Sequence, residues 1–146
     1  MNLSKFAERL SELMFDSQYN GHTLSEKLDC GYNTIYRYLQ CERTPSVEMV
    51  VVLADFFNCS TDFLLGLEDE NYTNKFDKCP IFSERFVSLL DECQISQYYL
   101  EKKTAISHST MGYWKNGKKK PTIDNIIKIA QVLDRSVDYI LGRTKD

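Results

Sequence analysis

"SQYYLEKKTAISHSTMGYWKNGKKKPT", residues 96–122, places two helix starts close together. Ser96 suits the N-cap of a short helix holding Gln97 and Leu100, and Ser107 suits the N-cap of a second helix running through Trp114. Between them "TAIS", 104–107, has room only for a turn. The stretch therefore predicts helix, tight turn, helix, with Lys118, Lys119 and Lys120 placed before Pro121 and the start of another helix.

Shifting the chain by 76 residues lays "TPSVEMVVVLADFFNCSTDFLLG", 44–66, over "KPTIDNIIKIAQVLDRSVDYILG", 120–142, without a gap. Pro45 meets Pro121, Ala54 meets Ala130 and Gly66 meets Gly142; the same offset carries Phe6 to Phe82, Arg9 to Arg85 and Leu24 to Leu100. Apolar residues recur at helical spacing in both halves, as at Phe6, Leu10, Leu13 and Met14, or at Ile123, Ile126, Ile127 and Ala130. Pro45 and Pro121 suit a first helical turn, Ser60 and Ser136 suit N-caps, and Gly66 and Gly142 suit the C-terminal stop. An all-α fold is predicted: two tandem units of about five short helices each, 1–67 and 80–146, joined by an acidic linker at 68–79.

Composition excludes several functional classes. The N-terminus has no continuous apolar run of the signal-peptide kind, and the longest apolar stretch, "MVVVLADFF", is far short of the roughly 20 residues that span a bilayer. Five cysteines without a CxxC pair predict thiols, as in a reducing cytoplasm. His22 and His108 lie at no metal-ligand spacing from a cysteine or from each other, so no metal is expected. A Gly-rich phosphate loop and a spaced nucleophile and base are also missing, so neither an enzyme, a cofactor nor a small-molecule substrate is expected.

Ser96, Gln97, Leu100, Ser107, Thr110, Met111, Trp114, Asn116, Gly117, Lys118 and Pro121 together resemble the motif of the lambda-repressor-like (Xre-type, Cro/repressor) helix-turn-helix family. The resemblance implies a recognition helix at 108–115 laid in the major groove of double-stranded DNA. By position, Gln97 would meet a phosphate or outer base, His108, Ser109 and Gly112 would face the bases, and Tyr113 would reach base or backbone. Met111 and Trp114 would point into the core. Glycine in a helix interior costs roughly 0.8–1 kcal/mol relative to Ala. Gly112 therefore invites a reason, either close approach of backbone to DNA or a position under no demand.

Charge extends the implied interface. Residues 101–120 hold six lysines against one glutamate, and Lys115 with Lys118, Lys119 and Lys120 sits where phosphates would find cations beside free backbone N–H groups. Formal charge is −4 over 1–67, −3 over 68–77 and +4 over 78–146, so the second unit is the expected DNA binder. The first unit departs from the motif: Asn20 and Gly21 replace its Thr-Gln, Gly31 its Ser, and "QCERT" stands for "NGKKK". Tyr32, Asn33, Tyr36, Arg37 and Arg43 nevertheless offer base-pairing chemistry there. The expected function is sequence-specific transcriptional regulation, as a bacterial or phage-type repressor acting by operator occupancy. The alternative is a protein-interaction adaptor, anti-repressor or antitoxin-like, on the same scaffold. Either a homodimer reads a palindrome through the second unit, or the chain is a pseudo-dimer, its linker of about 12 residues spanning up to ~40 Å against half-sites ~34 Å apart.

Overall fold

The structure, a computed structural model, describes residues 1–71 and 75–145. The chain divides into two compact units, Met1–Asn74 and Lys75–Asp146. The first holds α1 (Leu3–Asp16), α2 (Gly21–Lys27), α3 (Tyr32–Leu39), α4 (Val47–Phe56) and α5 (Thr61–Leu64). The second holds α6 (Phe82–Glu92), α7 (Gln97–Thr104), α8 (His108–Asn116), α9 (Ile123–Leu133) and α10 (Val137–Leu141). No strand occurs among the described residues, so the fold is all-α. Helices α2 to α5 and α7 to α10 begin at positions separated by the same 76 residues that relate the two halves of the sequence.

Caps set these starts. Ser96, Ser107 and Ser136 accept hydrogen bonds from the backbone N–H groups of Tyr99, Thr110 and Tyr139, and Ser60 does the same for Phe63. Pro45 and Pro121 do not lie in a first helical turn. Each precedes the true N-cap, Ser46 or Thr122, whose side chain accepts from Met49 or Asn125. Both prolines are buried, so they serve as the apolar residue ahead of the cap. Gly142 ends α10 at φ +82, and a Cβ there would lie 2.9 Å from Pro80 Cδ, so conformation and space both demand glycine.

Each unit has its own core. In the first, Phe6, Leu10, Leu24, Ile35, Val50 and Leu53 are wholly buried, with Phe6 edge-on to Tyr38. In the second, Phe86, Leu89, Leu100, Met111, Ile126 and Ile140 are, and Trp114 of α8 packs edge-on against Phe86 and Phe82 of α6 at ring separations of 5.5 and 5.9 Å. That aromatic contact sets which face of α8 remains outside.

A buried arginine fastens the last helix of each unit. Arg85 donates to the Tyr139 and Ile140 carbonyls and to Glu92, while Arg9, 76 residues earlier, donates to the Phe63 and Glu68 carbonyls. The Tyr139 and Phe63 carbonyls also accept from the N–H groups of Gly142 and Gly66, so the arginine is a second donor there, while Ile140 lies in the last turn of α10 and Glu68 beyond the end of α5. Burial pushes the Tyr139 hydroxyl above its usual range, assisted by the neighbouring Cys93 and Glu92.

Of the expected linker 68–79, residues 72–74 lie outside the described residues. Its two ends are engaged: Glu68 by Arg9, and Asp77 through its N–H to the Arg143 carbonyl, with the Arg143 guanidinium 4.2 Å over the Phe76 ring.

Candidate nucleic-acid interface

Helix α7 ends at Thr104, so the turn is one residue shorter than "TAIS". Ala105 takes the left-handed conformation at φ 58, Ile106 turns inward, and Ser107 caps α8. The Thr104 hydroxyl donates to the Leu100 carbonyl and accepts from the Ile106 N–H, closing the turn. The angle between α7 and α8 is thus held by local bonds and by buried Leu100, Ile106 and Met111.

Burial sorts α8 into two faces. Met111 and Trp114 are inside; His108, Ser109, Tyr113 and Lys115 are exposed, and Gly112 is half-buried between them. Gln97, at the first position of α7, is brought beside His108: its Nε2 lies 3.4 Å from His108 Nδ1. The residues singled out in the second unit therefore share one surface region around the start of α7, the outer face of α8 and the segment after it.

Lys118, Lys119 and Lys120 follow Gly117, which ends α8 at φ +76. The Lys118 and Lys119 N–H groups both turn back onto the Tyr113 carbonyl, and the Lys119 ammonium lies 4.8 Å from the centre of the Tyr113 ring. The turn is closed by backbone bonds and holds the Lys119 ammonium against the outer face of α8.

A Cβ added to Gly112 would meet nothing within 4 Å, so the fold itself places no demand for glycine there. Gly112→Ala is expected to raise the stability of the free protein by about 0.8–1 kcal/mol through helix propensity. If α8 seats its backbone against DNA, the same methyl lowers affinity. Thermal melting and duplex titration of the one variant separate the two effects, and unchanged affinity would leave Gly112 as a position under no demand.

Glu101 was not singled out by sequence reasoning. Its carboxylate lies 3.2 Å from His108 Nδ1, with the side chain 15% exposed against 83% for His108. The legible signal was its spacing, four residues after Gln97 on the same face of α7. Tyr98 and Tyr99 were also passed over; both are exposed, each with the ammonium of the lysine four residues on, Lys102 or Lys103, over its ring.

In the first unit Tyr32, Asn33, Tyr36 and Arg37 are exposed on α3 and line, with Gln40 and Glu42, an open depression of about 460 Å³; Arg43 is exposed beyond it. The Tyr32 ring stands 5.5 Å from Tyr36 and 5.7 Å from His22. No three His, Cys, Asp or Glu side chains among the described residues form a metal-binding group, and no helix among them is long and apolar enough to cross a membrane.

Comparison with known proteins picks out the same helices. The HTH-type transcriptional regulator ImmR of Bacillus subtilis (strain 168) is 32% identical over 77 residues, which cover 53% of this chain and 58% of that protein. The uncharacterized HTH-type transcriptional regulator YobD of the same organism is 33% identical over 66 residues, covering 45% of this chain and 59% of that one. The chain thus spans under three fifths of the length of the curated relatives it matches. No solved structure matches it. A family model described as Helix-turn-helix matches residues 88–140, so what the second unit shares with that family runs from within α6 into α10 and includes the whole of α7, the turn and α8.

Proposed function

We propose that the chain is a sequence-specific DNA-binding transcriptional regulator, acting in the cytoplasm as a repressor by occupying its operator, with α8 in the major groove. One observation carries this reading: buried Met111 and Trp114 turn His108, Ser109 and Tyr113 outward, beside a run of lysines held at the end of the same helix. The match of residues 88–140 to the helix-turn-helix family, and the relatives named as transcriptional regulators, support it. Phosphates would be met by Lys115, Lys118, Lys119, Lys120 and Gln97; bases by His108 and Ser109, with Gly112 allowing close approach.

Two units of five helices with a common spacing favour tandem helix-turn-helix domains, 1–67 and 80–146, around a 68–79 linker. The first unit, at net −4, is repelled by phosphates, so we assign it to pairing two chains on a palindrome. A second reading, a protein-interaction adaptor, is favoured by one feature, the exposed Tyr32 and Tyr36 beside an open depression on an acidic unit.

Selection of the full chain against a random duplex library at about 150 mM salt tests these readings. An enriched palindrome is expected. Two unlike half-sites would place α3, with Tyr32, Asn33, Tyr36, Arg37 and Arg43, on DNA as well. No enrichment would overturn the regulator in favour of the adaptor. His108→Ala and Ser109→Ala are each expected to erase preference at one position, about 1–3 kcal/mol for a good contact; preference retained in both would remove α8 as the reading helix.

A further inference from the structure

We propose that Glu101 is a positioning residue that sets the tautomer of His108 and thereby selects which bases α8 accepts. This rests on the reading of α8 as the DNA-reading helix. His108 Nδ1 lies 3.2 Å from Glu101 Oε2 and 3.4 Å from Gln97 Nε2. In a neutral imidazole that one nitrogen cannot serve both neighbours. Glu101, an ionised carboxylate, only accepts, so pairing with it requires a proton on Nδ1; the Gln97 amide N–H donates, so pairing with it requires Nδ1 to be bare. The two pairings leave opposite chemistry on the outward nitrogen.

Geometry favours Glu101. The contact is the shorter one, and a hydrogen bond to an ionised acceptor is roughly twice as strong as a neutral one. The Glu101 side chain is 15% exposed, so little water competes for its oxygens, whereas His108 is 83% exposed and presents its far edge to the outside. With the proton on Nδ1, the ring shows a bare Nε2, an acceptor. In the major groove the matching groups are the amino groups of adenine and cytosine; guanine O6 and N7 and thymine O4 offer only acceptors and are refused. Replacing Glu101 with Gln keeps size and shape but supplies an N–H that can donate to Nδ1. With no carboxylate to hold the proton on Nδ1, that amide and the Gln97 N–H both favour a bare Nδ1; the ring then donates from Nε2, to guanine O6 or N7, thymine O4 or adenine N7, and refuses cytosine.

The test uses the full chain and needs no DNA for its first half. Imidazole 15N NMR at alkaline pH, with the ring neutral, identifies the protonated nitrogen; the chain has two histidines, and loss of a signal in His108→Gln assigns the one at 108. Wild type is expected to carry the proton on Nδ1 and Glu101→Gln on Nε2. A wild-type proton on Nε2, or the same tautomer in both proteins, overturns the proposal. In the second half, both proteins select duplexes, read at the position whose preference His108→Ala erases. Adenine or cytosine is expected there for wild type, and in Glu101→Gln guanine and thymine are expected to gain tenfold or more, whether or not adenine is kept through its N7. No gain of guanine or thymine by Glu101→Gln, with wild type still enriching a site, overturns the role of Glu101 alone. No enrichment by wild type overturns the DNA reading, and the base selection with it.

Discussion

Replacing Lys118, Lys119 and Lys120 together with Ala is expected to weaken binding to every duplex on the order of a hundredfold at 0.15 M salt. Each phosphate contact contributes about 0.9 to the slope of log affinity against log salt, so three lost contacts flatten it by about 2.7. All three side chains are exposed, and exposed substitutions cost the fold within about 0.5 kcal/mol. The loss therefore reads as lost charge, not lost structure. Sequence preference is expected to survive, because phosphates carry no base identity. Titration at several salt concentrations, with a melting curve for each protein, checks this. An unchanged slope would leave the lysines as bystanders on an ordered turn.

Arg85→Met is expected to destabilise the second unit by about 1–3 kcal/mol. The side chain is 7% exposed, and its guanidinium reaches the Tyr139 carbonyl at 2.6 Å, the Ile140 carbonyl at 3.2 Å and Glu92 at 2.7 Å. Methionine fills similar space but donates nothing; the Tyr139 carbonyl keeps the Gly142 N–H, whereas the Ile140 carbonyl is left unmatched, at about 1–3 kcal/mol. Glu92, half-exposed, returns to water at little cost. In a unit of this size the melting midpoint falls by about 4–8 °C per kcal/mol, a drop on the order of 10 °C. Arg85→Lys should lie between, because one ammonium cannot serve the positions that the planar fork serves at once. A melting curve unmoved by Arg85→Met would mean that water reaches the Ile140 carbonyl and the arginine fastens nothing.

The helices were legible because their determinants are local. Serine N-caps at 60, 96, 107 and 136 and apolar spacing at Phe6, Leu10 and Met14 act within one or two turns, and all lie where the pattern placed them. The prolines show where local reasoning slipped. Pro45 and Pro121 fit a first turn by type, but Ser46 and Thr122 compete for the start, and a hydroxyl that accepts a backbone N–H wins it. The outward face of α8 was legible too, since burying Met111 and Trp114 leaves His108, Ser109 and Tyr113 no other side.

By itself the sequence determined an all-helical chain with a 76-residue internal repeat, the starts of α7 and α8, and a second half carrying the positive charge. These follow from propensity, spacing and composition, which need no knowledge of distant contacts. Only the tertiary structure decided that Arg85 would fasten α10 from 54 residues away, that Glu101 would stand against His108, and that Gly112 would have open space around it. Such facts depend on packing, because the crossing of α7 and α8 and the seating of α6 under Trp114 bring together groups whose pairing no local pattern encodes.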